Sequence, residues 1–199
     1  MLQSKLFSKT TMEFPKDEES LNAKLLIRAG FIKKISAGVY AYLPLGLRVL
    51  QNINNIVREE MNALGAEELL MPALIPKGIW EKSARWDVDV VYKIKDESSS
   101  EYGLGWTHEE VITEIATHNI FSYSDLPKAV YQIQTKFRKE PRAKSGILRG
   151  REFTMKDLYS FHVSEEDLNL YYKRVIESYK KIFERLSLNT KVVEAGGGL

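Results

Sequence analysis

Residues 131–161 read YQIQTKFRKEPRAKSGILRGREFTMKDLYSF. Tyr131, Ile133 and Phe137 alternate with Gln132, Gln134, Lys136 and Arg138; Phe153, Met155, Asp157, Tyr159 and Phe161 alternate with Thr154, Lys156, Leu158 and Ser160. An alternation of period two is the mark of a strand, because successive side chains point to opposite faces. Between the two runs lies Glu140 to Gly150, a loop with Arg142, Lys144, Arg149 and two glycines. The spacing predicts an antiparallel hairpin with a basic loop. From Tyr131 to Asp157 eight Lys and Arg face three acids, a surplus of +5, inside a chain of net charge +2. That imbalance points to a local anion site rather than a globally basic surface.

The flanking sequence is read from helical periods and turn residues. Asp17 to Ala29 is a helix candidate, with acids in its first turn and Gly30 after its end. GFIKKISAGVYAYLPLGLRV follows as a turn, a short strand and a loop. Leu45 to Leu64 carries apolar residues at three- and four-residue steps and stops at Gly65. EELLMPALIP is a short apolar strand whose Pro72 confines it to an edge, an interface or a strand end. DVVYKIKDESSSEYGLGW reads as a hairpin with the serines in its turn, and Thr107 to Asn119 as a helix. Ser164 to Leu186 is a long amphipathic helix capped by Ser164 and Asp167. Its expected buried stripe is Leu168, Tyr172, Val175, Ile176, Tyr179, Ile182, Phe183 and Leu186. VVEAGGGL is read as the start of another strand. The fold class expected is α+β, an antiparallel β-sheet flanked by helices.

Composition removes whole classes of function. The 199 residues amount to about one domain and can bury about two-thirds of their unfolded surface. With no Cys there is no disulfide, thiolate metal site or cysteine nucleophile. The three histidines (His108, His118, His162) have no metal-ligand spacing, so no metal site is expected. No apolar run reaches membrane-spanning length, and the first twenty residues lack the apolar core of a signal peptide, so a cytoplasmic protein is expected. Neither G-x-G-x-x-G nor G-x-x-x-x-G-K-[ST] occurs.

Taken alone, each candidate residue has a plain reading beside a chemical one. Arg138 ends a strand with Glu140 two residues on: this is a surface ion pair, or a guanidinium for a phosphate or carboxylate with an acid that orients it. Phe153 beside Arg151 is core, or a purine-stacking platform. Thr107 and Glu110 have capping-box spacing, which leaves Glu109 unexplained; alternatively Thr107 and Glu109 project into a pocket and bind an amine. His162 closes the second strand as a hydrogen-bonded structural residue or as an acid–base group. No serine triad or paired catalytic carboxylates are evident, so any catalysis here works by positioning and charge stabilisation.

TKFRKE, a basic loop and LRGREFTMKD together resemble the second signature motif of class II aminoacyl-tRNA synthetases. LLIRAGFIKKISAGVYAYLPLGLRVL, IVREEMNALGAEELLMPAL, THEEVIT and YQIQTKFR follow in the order of the bacterial-type prolyl family, so the resemblance spans Ser4 to Ala195. It implies activation of L-proline by ATP with Mg²⁺ and transfer to the 3′ end of tRNA(Pro). Arg138 matches the arginine that holds the α-phosphate and the amino-acid carboxylate. Glu140 matches the glutamate near the adenine amine and Phe153 the adenine-stacking aromatic, with Arg151 alongside in the ATP site. Thr107 and Glu109 match the turn that receives the imino group; Met155, Asp157, Tyr159 and His162 line or border the proline pocket. Arg142, Lys144 and Arg149 match the loop that meets the tRNA acceptor end, and Pro72 a homodimer interface. Trp106 replaces a usual proline, and PRAKSG departs from the usual loop. The third signature motif, the editing insertion and the anticodon-binding domain have no counterpart in residues 1–199, so a fragment of the catalytic domain is expected. The rival readings are a non-catalytic tRNA-binding module and a synthetase for threonine or serine.

Overall fold

A computed structural model describes residues 2–195. In chain order the principal elements are α1 (Leu21–Arg28), β1 (Ile32–Ser36), β2 (Val39–Tyr42), α2 (Pro44–Ala63), β3 (Glu67–Glu68), β4 (Leu74–Pro76) and α3 (Lys77–Glu81). They continue with β5 (Lys93–Lys95), β6 (Glu101–Leu104), α4 (Glu109–Thr117), β7 (Lys128–Phe137), β8 (Glu152–Phe161) and α5 (Glu165–Arg185). The expected α+β class is what forms.

The long hairpin follows the alternation. β7 and β8 pair antiparallel without a bulge, from Lys128↔Phe161 to Phe137↔Glu152. β3 adds in parallel to the other edge of β7. Its Glu68 carboxylate takes two hydrogen bonds from the Arg58 guanidinium, at 2.7 and 3.0 Å. β4, β6 and β5 make a second antiparallel sheet, and β1 and β2 a separate hairpin. The serine-rich turn is held by Asp96, whose carboxylate accepts from Ser98 Oγ and from the Ser100 N–H.

The alternation also divides the core in two. On one side of β7–β8, Met61, Leu64, Ala66, Tyr131, Tyr171 and Ile182 join the sheet to α2 and α5. On the other, Met71, Ile75, Trp80, Trp86, Val111 and Ile112 pack with Val130 and Tyr159. Each fully buried large apolar side chain contributes about 1.5–3 kcal/mol by removal from water.

Several elements differ from the sequence expectation. α1 starts at Leu21 because Asp17 and Glu18 serve the β1–β2 hairpin instead: Glu18 accepts from the Tyr40 hydroxyl at 3.0 Å and pairs with Lys34 at 2.8 Å. Pro72 lies in no strand; it falls in the link between β3 and β4. Val91, expected on the first strand of the serine-turn hairpin, precedes β5 and is buried. Residues 192–195 form no strand, and the three glycines after them lie outside the described residues. Ser164 caps α5, accepting from the Asp167 N–H, as expected. The stripe of α5 is rotated, however. Of the expected residues Ile182 is buried and Val175, Ile176 and Leu186 are half-buried, but Leu168, Tyr172, Tyr179 and Phe183 are exposed, and Tyr171 and Ser178 are buried instead. β8 is the sheet edge among the described residues, and α5 packs chiefly on α2, which leaves its other flank exposed. No helix among the described residues is long and apolar enough to cross a membrane.

Candidate active site

The face of β7–β8 turned away from α2 and α5 is polar. Gln132, Gln134 and Lys136 stand opposite Asp157, Met155 and Phe153. Such a face is stable under cover only if its donors find acceptors. The cover is the chain around residues 71–73 and 105–108. Gln132 accepts from the Met71 N–H at 3.0 Å and donates to Asp157 Oδ2 at 2.9 Å. Gln134 donates to the Met71 carbonyl. Lys136, with no exposed surface, donates to Asp157 Oδ2 at 3.0 Å and to His108 Nδ1. The Tyr159 hydroxyl donates to Asp157 at 2.7 Å and accepts from the His108 N–H at 3.2 Å. Asp157 Oδ1 is buried and has no partner among the described residues. Burial pushes the Lys136 and His108 pKa values down and holds Tyr159 far above the ordinary phenol range; the Asp157 carboxylate opposes the first two shifts and adds to the third.

Arg138 follows β7 directly. The strand does not run on to Glu140: a tight turn bonds the Glu140 N–H to the Arg138 carbonyl at 2.7 Å. The Arg138 guanidinium reaches the Trp106 carbonyl, with both Nε and Nη2 at 3.4 Å, and lies 5.4 Å from the centre of the Phe153 ring. Arg138, Glu140, Phe153, Arg149, Tyr42 and Thr154 line a cavity of about 420 Å³.

Thr107 and Glu109 sit on the turn into α4, where the expected capping box does not form. His108 is the N-cap residue, the Thr107 hydroxyl donates to the Glu109 carboxylate, and Glu110 is buried. Glu110 accepts from Ser83 Oγ at 2.5 Å and lies 3.3 Å from Arg85. Tertiary partners thus replace the local cap. Arg85 also lies 3.3 Å from Glu109 and over the Trp106 ring, and Trp106 stacks on Trp80 with centroids 5.9 Å apart. The tryptophan at position 106 is thus held by both Arg85 and Trp80.

The other sequence candidates spread outward. Arg151 is not among the cavity-lining residues. Its side chain donates to the carbonyls of Glu140 and Ala37, and its N–H to that of Gly38, which ties the loop to the β1–β2 hairpin. Arg142, Lys144 and Arg149 are exposed on the loop, where Lys144 and Arg149 form an isolated bridge. Met155 and Asp157 share the polar face with Phe153. His162 does not join them. It pairs with Asp167 at 2.7 Å beyond the end of β8 and lines a different cavity with Pro127, Lys128 and Tyr171. Pro72 is exposed, and its carbonyl faces His108 Nε2 at 3.1 Å.

Sequence reading missed Lys136, His108 and Gln132 as members of the site. A signal existed: Gln132, Gln134 and Lys136 share one parity of a strand in the middle of the chain. Their meaning depends on partners 21 to 63 residues away. Chemically, the assembly offers an aromatic platform and guanidinium at one end and, across Trp106, a carboxylate and hydroxyl at the other. It suits a ligand that is anionic and aromatic on one side and cationic on the other.

The profile of the tRNA synthetase class II core domain (G, H, P, S and T) matches residues 92–196. The chain is 52% identical over 200 residues to the proline–tRNA ligase of Caldicellulosiruptor saccharolyticus, covering 100% of this chain and 35% of that protein. It is 49% identical over 203 residues to the proline–tRNA ligase of Prochlorococcus marinus, covering 34% of it. The chain thus spans about a third of the length of these relatives. In three dimensions it resembles the Giardia lamblia prolyl-tRNA synthetase in complex with prolyl-adenylate, with a TM-score of 0.75 at 20% identity, over 81% of this chain and 34% of that one. The Cryptosporidium parvum enzyme with L-proline and AMP gives a TM-score of 0.73 at 17% identity, over 81% of this chain and 33% of that one.

Proposed function

Because the chain belongs to the tRNA synthetase class II core domain family, we propose that residues 1–199 are the part of a proline–tRNA ligase catalytic domain that carries its first two signature motifs. The proposed reaction is attack by the carboxylate of L-proline on the α-phosphorus of ATP, which releases pyrophosphate and forms prolyl-adenylate. Transfer of the prolyl group to the 3′ end of tRNA(Pro) follows, in the cytoplasm. The observation that carries this reading is the position of Arg138. One guanidinium contacts both the Phe153 ring and the backbone of the turn that bears Thr107 and Glu109.

The roles follow from that geometry. Phe153 offers a face for adenine, and Glu140 lines the same cavity within reach of an exocyclic amine. Arg138 would neutralise the α-phosphate and hold the proline carboxylate in line with it. Glu109, beside Thr107, would take the secondary ammonium, with Tyr159, Asp157 and Met155 behind it. Arg151 holds the loop in place from outside the cavity. Arg142, Lys144 and Arg149 are exposed, as contacts to an RNA backbone require. Mg²⁺ would enter with the triphosphate it accompanies; the described residues offer no cluster of three His, Asp or Glu able to hold an ion. Exposed Leu70 and Leu74 flank Pro72 and support a homodimer through that segment.

The test is proline-dependent ATP–pyrophosphate exchange, with alanine, threonine and serine as controls, on the natural protein that carries this chain. Exchange with proline alone is expected, and Arg138→Ala is expected to lower it by roughly a hundredfold or more. Exchange with threonine or serine instead would assign a different ligase. Binding of tRNA without any amino-acid-dependent exchange would leave a binding module.

A further inference from the structure

His108 stands between Thr107 and Glu109, yet its side chain points inward and has no exposed surface. Both ring nitrogens have partners. Nε2 faces the Pro72 carbonyl at 3.1 Å, and Nδ1 faces the Lys136 ammonium. A carbonyl only accepts, and an ammonium only donates. One neutral tautomer satisfies both contacts: the proton sits on Nε2 and Nδ1 is bare. Lys136 is fixed in turn by Asp157 at 3.0 Å. The ring also fills space that a side chain would otherwise need. A Cβ at Gly105 would come within 2.7 Å of His108 Cε1. The backbone of Gly105 is bonded on both sides, to the Ala73 carbonyl at 2.7 Å and from the Phe137 N–H at 3.0 Å.

We propose that Lys136 is a positioning residue for the turn that carries Thr107 and Glu109: it holds His108 in the Nε2–H tautomer and so clamps residues 105–109 between β7 and the Pro72 segment. Lys136 touches no substrate in this scheme. It acts by setting where Glu109 meets the amine, and in that respect the proposal rests on the proline-activation reading. The clamp is specific in charge and shape. Methionine at position 136 would leave His108 Nδ1 without a donor and would take the ammonium from Asp157, which keeps only its neutral donors Gln132 and Tyr159. The turn could then rotate, since the Pro72 bond alone does not fix both ends of the ring.

The test has two arms. The first reads imidazole ¹⁵N shifts in the 199-residue chain, where His118 and His162 are the only other histidines to assign. A bare Nδ1 and a protonated Nε2 on His108 at neutral pH are expected. An Nδ1–H tautomer or an imidazolium overturns the proposal before any substitution is made. In Lys136→Met the His108 shifts are expected to move toward a mixture of tautomers; unchanged shifts overturn it. The second arm measures pyrophosphate exchange in the natural protein. Lys136→Met is expected to raise KM for proline by roughly ten- to a hundredfold and to change KM for ATP by less than about threefold. A loss confined to kcat, or equal for both substrates, marks a merely structural lysine and overturns the proposal. If the unsubstituted protein activates no proline, the functional reading fails, and the histidine shifts then decide the clamp by themselves.

Discussion

Glu109 and Glu110 are neighbours in sequence with opposite surroundings. Glu109 is exposed beside Thr107, and Glu110 is buried beneath Ser83 and Arg85. Glu110→Ala is expected to cost about 1–3 kcal/mol and to lower Tm by roughly 2–10 °C, because it leaves buried donors unmatched. Glu109→Ala should change stability by less than about 0.5 kcal/mol while abolishing exchange with proline. Thermal melts and exchange assays on the pair check both outcomes. His108 adds a pH dependence. Burial, then the Lys136 charge, hold its pKa below the ordinary 6.5, against the Pro72 carbonyl and the acids Asp157 and Glu109. The unfolded chain therefore binds the proton first as pH falls below about 6.5, and stability declines there by at most about 1.4 kcal/mol per pH unit. Melts between pH 7 and pH 5 should show this slope, and His108→Gln should remove it. At this scale the sequence was only partly readable. Arg138 and Phe153 stood out by their motif, and the structure places them on one cavity. Thr-x-x-Glu looked like a capping box only because local spacing says nothing of Ser83 and Arg85.

Elements proved more legible where the signal was local. The β7–β8 hairpin needed nothing beyond alternation, and α2 followed from its apolar period and Gly65. The starts of α1 and α4 and the buried face of α5 were misjudged for one shared reason. Each is set by a partner distant in sequence: Tyr40 and Lys34 for Glu18, Ser83 for Glu110, and α2 for the α5 face. The loop between β7 and β8 shows the same dependence. Gly146 has φ +62°, and a Cβ there would lie 2.4 Å from Asn22 Oδ1 and 2.8 Å from the Ala23 Cβ. Asn22 also donates to the Ser145 carbonyl at 2.9 Å. The basic loop is thus fastened to α1. Gly146→Ala is expected to free it, weakening tRNA binding about tenfold or less while proline-dependent exchange stays near its original rate. Filter binding and the exchange assay separate the two effects.

At the scale of the whole molecule, the α+β class was evident from the order of helices and hairpins. The layering was not, because β3 joins β7 in parallel through a strand of only two residues. The apolar residues left at the surface include Leu70 and Leu74 beside Pro72 and Leu168, Tyr172, Tyr179 and Phe183 on α5. Exposed apolar groups of this kind suit a docking partner, and the chain spans about a third of its relatives' length.

The uninterrupted pairing of β7 with β8 also sets an order of events in time. A hairpin closed by one intervening loop can form within microseconds. The bonds that cover its polar face join residues 28 to 63 positions apart and must wait for longer loops to close. During refolding the backbone amides of β7 and β8 should therefore acquire protection in pulsed hydrogen exchange before the His108 and Met71 amides do. The nascent chain would meet this order as well: the ladder would already exist while its polar face was still open to solvent.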